Sequence, residues 1–70
     1  MTIVFSKPVE FDKNGSPIKF WVQGYVDTAS EEKPTNKIAS GSRCTETETG
    51  LVSVFSENSN QWIPWMTLKE

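Results

Sequence analysis

Apolar residues alternate with polar ones along most of this chain, and polar clusters interrupt the alternation. A spacing of two indicates β-strands, whereas a helix needs apolar residues three to four positions apart. No stripe at helical spacing runs longer than one turn. Turn-forming pairs such as Asn14-Gly15 and Thr49-Gly50 separate the alternating runs,. The pattern predicts an all-β fold, a small antiparallel meander of about five strands forming a sandwich or a partly open barrel.

We expect residues 1–70 to form a single β domain in which one long polar loop interrupts the strands. Between Asp27 and Lys37 the chain has almost nothing to bury. Loops of this length in a compact domain are often functional or mobile. Two interpretations stay open for this loop, a contact arm for a partner and a solvated connector. The strands are predicted within 3–11, 18–26, 42–49, 51–55 and 61–68.

The second predicted strand has one apolar face and one mixed face. Alternation places Ile18, Phe20, Val22 and Val26 on the core side, opposite Lys19, Trp21, Gln23 and Tyr25,. Trp21 and Tyr25 lie four residues apart on the mixed face. They fit either an aromatic platform for a ligand or a second small core that packs against Trp62 or Trp65.

The closing strand is apolar on both faces. Alternation directs Trp62, Pro64, Met66 and Leu68 to one side and Ile63 and Trp65 to the other,. Pro64 lacks an amide donor and predicts an edge strand. A neighbouring chain would cover the second apolar face, and so would closure of the domain on itself; both remain open. The predicted protein interface is Trp62, Ile63, Trp65, Met66, Trp21 and Tyr25.

Composition and charge narrow the classes of partner. The chain has 70 residues, 36% of them hydrophobic and 23% charged, which is typical of a globular domain,. Three tryptophans and four phenylalanines are a heavy aromatic load for one small core,. The net charge is −2, and the lysines and the one arginine are scattered, so no nucleic-acid partner is expected,. No apolar stretch approaches the roughly 18 to 20 residues of a membrane helix, so no membrane partner is expected either.

Residues suited to catalysis are scarce. The chain has no histidine and one cysteine, so we predict no catalytic, cofactor-binding or metal-binding residues and no enzyme activity. Glu46 and Glu48 alternate with threonines on a polar strand and are expected to be solvated, which does not suit acid and base catalysis. Cys44 has no disulfide partner in the chain and is expected to be a small thiol packed under the sheet.

The C-terminal hairpin resembles one found in short structural proteins of tailed bacteriophages, including capsid-associated and fibre-associated ones. The matching positions are Gly41-Ser42, Thr49-Gly50, Val52, Phe55, Asn58 and Trp62. The sequence departs from that pattern at Glu48, Leu51 and Ser53, where the pattern has aspartate, lysine and tyrosine. The resemblance covers residues 41–65 and leaves the first forty unexplained.

This resemblance implies a small virion component that attaches to a capsid or tail lattice. We therefore expect a non-enzymatic capsid decoration or accessory head protein without cofactors, assembled into the virion in the host cytoplasm. Its expected partners are capsid or other virion proteins, and it is expected to form a homo-oligomer, for which a trimer is one form. The alternative is a small intracellular inhibitor or regulator that docks on a host or viral enzyme.

Overall fold

Five strands form one sheet in the computed structural model, which describes residues 1–68. The strands are β1 (Thr2–Phe11), β2 (Pro17–Val26), β3 (Arg43–Glu46), β4 (Leu51–Ser56) and β5 (Gln61–Thr67). They lie side by side in chain order. No helix occurs in these 68 residues. The predicted all-β class and number of strands are confirmed.

The predicted antiparallel meander is wrong at one pair of strands. β1 with β2, β3 with β4, and β4 with β5 are antiparallel, but β2 and β3 are parallel. Parallel neighbours need a connection of a dozen or more residues, because the chain must return to the end where it started. Residues 27–42 make this connection, so the loop extends beyond the predicted 27–37. The sheet is open, with β1 and β5 at opposite edges.

The long connection covers one face of the sheet, which we call the covered face. Val22, Ile38 and Phe55 form the buried cluster there, with Met1, Phe20 and Trp62 packed against it. Ile38 forms a parallel bridge with Phe20, and the Ala39 amide donates to the Phe20 carbonyl oxygen at 2.8 Å. The connection thus supplies much of the core. The opposite side of the sheet is the open face.

The predicted turns form as the sequence indicates. The carboxylate oxygen Asp12 Oδ1 accepts hydrogen bonds from the amides of Asn14 and Ser16, which closes the β1–β2 hairpin. Gly15 follows with a φ of 85°. Gly50 has a φ of 77° between β3 and β4, which explains the Thr-Gly signal,.

The β1–β2 hairpin extends beyond the rest of the sheet. β2 pairs with β3 only from Gln23 to Val26, so the part of the hairpin nearest its turn is a two-stranded ribbon. The molecule is accordingly elongated, measuring 45 × 23 × 21 Å. Phe20, Val22 and Val26 face the core as predicted. The prediction for Ile18 is wrong, because it lies on the exposed ribbon where no layer covers it.

Candidate protein-docking surface

The open face carries large apolar side chains with no covering layer. Strand register places Tyr25, Thr45, Val52 and Met66 in one row across β2 to β5, and Gln23, Arg43, Val54 and Ile63 in the next. Tyr25 and Ile63 are each 38% exposed and Met66 is 49% exposed. Thr45 and the buried Val52 separate Tyr25 from β5, whereas Ile63 and Met66 are neighbours on this face. Isolated apolar residues at a surface are ordinary, but a contiguous patch such as that on β5 marks an interaction site.

Trp65 is the most exposed aromatic residue in the described chain, at 69%. It lies at a β-bulge in β5, because Ser53 pairs with Pro64 while the adjacent Val52 pairs with Met66. The bulge adds one residue to β5 and brings Met66 to the same side as Ile63. The predicted alternation, which placed Met66 beside Trp62, is therefore wrong beyond Pro64. A bulge changes which side the following residues face.

Trp62 lies on the covered face instead. Its ring meets Phe55 edge to face, with ring centroids 5.3 Å apart. Its indole N–H donates to the carbonyl oxygen of Pro34 in the long connection, at 2.9 Å. Trp62 is thus half-buried and helps hold the connection over the sheet.

Trp21 and Tyr25 share the open face but have different surroundings. Trp21 is half-buried and packs edge to face against Phe5 of β1, with centroids 5.8 Å apart. The backbone of Gly41 lies beside the indole, where an added Cβ would be 3.5 Å from Nε1. Tyr25 is exposed and lies in the row of Val52 and Met66. The structure therefore brings Tyr25, Ile63, Trp65 and Met66 to one face, with Trp21 partly occupied by Phe5.

Both edges of the sheet carry a proline with its nitrogen toward the outside. The Phe20 amide donates to Lys37 and its carbonyl accepts from Ala39, so both groups point away from β1. Pro8, paired opposite Phe20, then has its backbone groups on the free edge,.

Pro64 occupies the equivalent position at the other edge. The Phe55 amide donates to the Ser42 carbonyl oxygen, and the Phe55 carbonyl oxygen accepts from the Gly41 amide, so both groups point away from β5. Trp62, paired opposite Phe55, therefore has its backbone groups on the free edge,. Pro64, two residues later, has the same orientation. Each edge strand also contains a register shift. Prolines and bulges of this kind hinder the addition of another strand.

Sequence reasoning missed the exposure of β1. Every residue of this strand is exposed, including Phe5, Val9 and Phe11. A groove of about 330 Å³ lies between β1 and the long connection, lined by Ile3, Ser6, Phe20, Val22, Pro34, Asn36, Lys37 and Ile38. The signal available in the sequence was the length of the strand, which exceeds what one small connection can cover.

A charged cluster joins three segments at one end of the sheet. Lys19 of β2 forms ion pairs with Glu10 of β1 and Glu57 of the β4–β5 turn. Glu57 also accepts from the Ser40 amide at 2.9 Å, while the Glu57 amide donates to Ser40 Oγ at 2.8 Å. These hydrogen bonds from Lys19 and Ser40 lower the pKa of Glu57, and those to Glu57 and Glu10 raise the pKa of Lys19. The cluster fastens the connection to both hairpins.

The remaining candidate groups have structural roles. Cys44 is buried as predicted, and burial raises the pKa of its thiol. The expectation that Glu46 is solvated is wrong: it is buried, and its Oε1 accepts from Thr49 Oγ1 at 2.8 Å. Residues 1–68 contain no cluster of three or more potential metal ligands. The same residues include no helix with the length and apolar character needed to cross a membrane.

Comparisons with protein-family models, with curated proteins and with solved structures each found no match.

Proposed function

We propose that this chain is a non-enzymatic structural protein of a bacteriophage virion, a capsid decoration or accessory head protein that binds through exposed apolar surfaces. The observation that carries the proposal is Trp65, 69% exposed on an uncovered sheet face. Tryptophan is enriched among the residues that dominate binding at protein interfaces. Its neighbours Ile63 and Met66 extend the apolar surface around it.

Two separate apolar surfaces favour a protein that bridges neighbours. The first is the open face. The second is the exposed ribbon of the β1–β2 hairpin, where Val9, Phe11 and Ile18 project into solvent. A component of a lattice contacts more than one neighbour, and contacts repeated over many copies add to the total binding strength.

The size of the open face suits weak, repeated contacts. Its four large side chains expose on the order of 400 Å². With a matching area on the partner, one such contact buries on the order of 800 Å², below the roughly 1,200 Å² at which stable interfaces begin. A single such contact is therefore weak, and attachment that depends on many copies is consistent with this area.

The resemblance to phage structural proteins supports the proposal through its scaffold. The matching residues Ser42 and Phe55 are buried, Trp62 packs on Phe55, and Gly50 has the positive φ of its turn. These positions build the hairpin and its support rather than the exposed surface. Such a scaffold can be shared while the exposed residues differ from one partner to another.

Co-sedimentation with phage particles assembled without this protein tests the proposal. We expect the wild-type protein to sediment with the particles and to saturate at a fixed number of copies. Trp65→Ser together with Phe11→Ser should weaken binding at least about tenfold, since both apolar surfaces are reduced. Ser59→Ala, an exposed polar change in the β4–β5 turn and away from both apolar surfaces, is the control and should bind normally. Absence of wild-type protein from the particle fraction would refute the proposal, and capture of one host or viral enzyme would favour the inhibitor instead.

A further inference from the structure

We propose that the open face binds a second copy of this chain, so that two sheets pack face to face as an intermolecular β-sandwich. This deepens the proposed function by naming the partner of one of its two surfaces. The hairpin ribbon, with Val9, Phe11 and Ile18, is left to contact the larger assembly.

Features of both sheet edges disfavour edge-to-edge association, which leaves the open face as the surface for a second copy. Pro8 and Pro64 remove an outward amide donor from β1 and β5, and register shifts interrupt both strands,. Continuing the sheet from one copy into the next is therefore disfavoured at each edge. The open face has no such obstacle, and its β5 end exposes Ile63, Trp65 and Met66.

The available area matches what a dimer needs. Tyr25, Ile63, Trp65 and Met66 expose on the order of 400 Å² in each copy. With the surrounding residues Gln23, Arg43 and Thr45, two copies can bury at most on the order of 1,200 Å² together. Specific protein interfaces begin at about that size. Two stacked sheets stand about 10 Å apart, which leaves room for these side chains to interdigitate.

Arg43, the charged residue on this part of the open face, is placed where a two-fold symmetric dimer can use it. Arg43 is exposed and lies on β3, between Gln23 and Val54 in the register. A two-fold axis between the sheets and along β4 places β3 of one copy over β5 of the other, because these strands flank β4. β2 of each copy, with Tyr25, then lies beside the outer edge of β5 of the other copy. The two Arg43 side chains then lie on opposite sides of the axis, and each reaches the exposed indole of Trp65 in the other copy. A guanidinium stacked on an indole face is a favourable contact.

Analytical ultracentrifugation of the purified chain tests this inference over about 1 to 100 µM, the range where a weak dimer dissociates. We expect a reversible dimer in the wild type, and Trp65→Ser should raise the dissociation constant at least about tenfold. Phe11→Ser is the matched control, because it removes another exposed aromatic, 53% exposed, from the hairpin and should leave the dimer intact. Circular dichroism would establish that both variants are folded. Arg43→Glu should weaken the dimer more than Arg43→Lys does.

A wild-type chain that is monomeric throughout this range would overturn the inference. So would a trimer, a Trp65→Ser variant that dimerises normally, or a dimer lost only in Phe11→Ser. The particle assay is independent of this result. A monomer that sediments with particles would refute the dimer and leave the proposed function in place. A dimer that does not sediment with particles would support the dimer and refute the proposed function.

Discussion

The indole N–H of Trp62 donates a hydrogen bond to the carbonyl oxygen of Pro34, 2.9 Å away and 28 residues earlier in the chain. This bond joins the last strand to the connection that covers the sheet. The same indole packs against Phe55, so one side chain serves both the core and the connection. The contact explains why Trp62 is half-buried while Trp65, three residues later, is 69% exposed.

Replacing Trp62 with Phe should destabilise the fold. The ring contact with Phe55 can persist, but the indole donor is lost, and a hydrogen bond of this kind contributes about 1 kcal/mol. Urea denaturation in dilute solution would measure the change. Trp65→Phe makes the same chemical change at an exposed site and should shift stability by less than about 0.5 kcal/mol. Equal losses in the two variants would show that the Pro34 contact does not stabilise the fold.

The Glu57 cluster should make stability depend on pH in the acid range. The folded pKa of Glu57 lies below its ordinary value of 4.5. Its stabilisation is therefore present above that value and is lost as the pH falls through the folded pKa. Lys19 has a folded pKa above 10.5, so its stabilisation is present below that value and is lost as the pH rises through the folded pKa,.

Denaturation midpoints of Glu57→Gln between about pH 3 and about pH 6 would measure this contribution. The variant should lose stability relative to the wild type near neutral pH, and the difference should shrink toward pH 3. Glu48→Gln is the matched control, because it removes the same charge from a side chain that forms no ion pair within residues 1–68. A difference from wild type that stays constant with pH would contradict the assigned role of Glu57.

Restoring amide donors at both sheet edges should promote association by strand addition. The double variant Pro8→Val and Pro64→Val gains an outward N–H on each edge and raises the β propensity there. We expect higher-order species and increased thioflavin T fluorescence at concentrations where the wild type shows none. Ser6→Val is the control, because it adds an apolar side chain to β1 without adding a donor. If the double variant forms no higher-order species and its thioflavin T fluorescence is unchanged, the prolines do not prevent strand addition at the edges.

Cys44 should react with thiol reagents only when the protein unfolds. Its side chain is buried, and burial raises the pKa of the thiol, so little reactive thiolate exists at neutral pH,. Labelling by a maleimide should be slow in native buffer and should accelerate at the urea midpoint found by circular dichroism. Ser59→Cys, in the exposed β4–β5 turn, should label at once under native conditions. Rapid native labelling of Cys44 would contradict the buried position.

The sequence alone determined the strands, the turns and the exposed character of the closing segment. Alternation at a spacing of two is a local property, and Asn14-Gly15 and Thr49-Gly50 set positive φ angles that do not depend on distant residues,. Pro64 identified an edge strand for the same local reason, because proline lacks an amide donor. These features were therefore predictable before the fold was known.

Only the tertiary structure decided the direction of β3 and which of the two β5 tryptophans, Trp62 or Trp65, is exposed. The path of residues 27–42 is fixed by Ile38 and Ala39 docking on Phe20 and by Trp62 bonding Pro34, contacts between residues far apart in sequence. The bulge that turns Met66 to the open face depends on the pairing of β5 with β4,. Long-range packing and register are properties of the assembled sheet, so no pattern within a single strand could specify them.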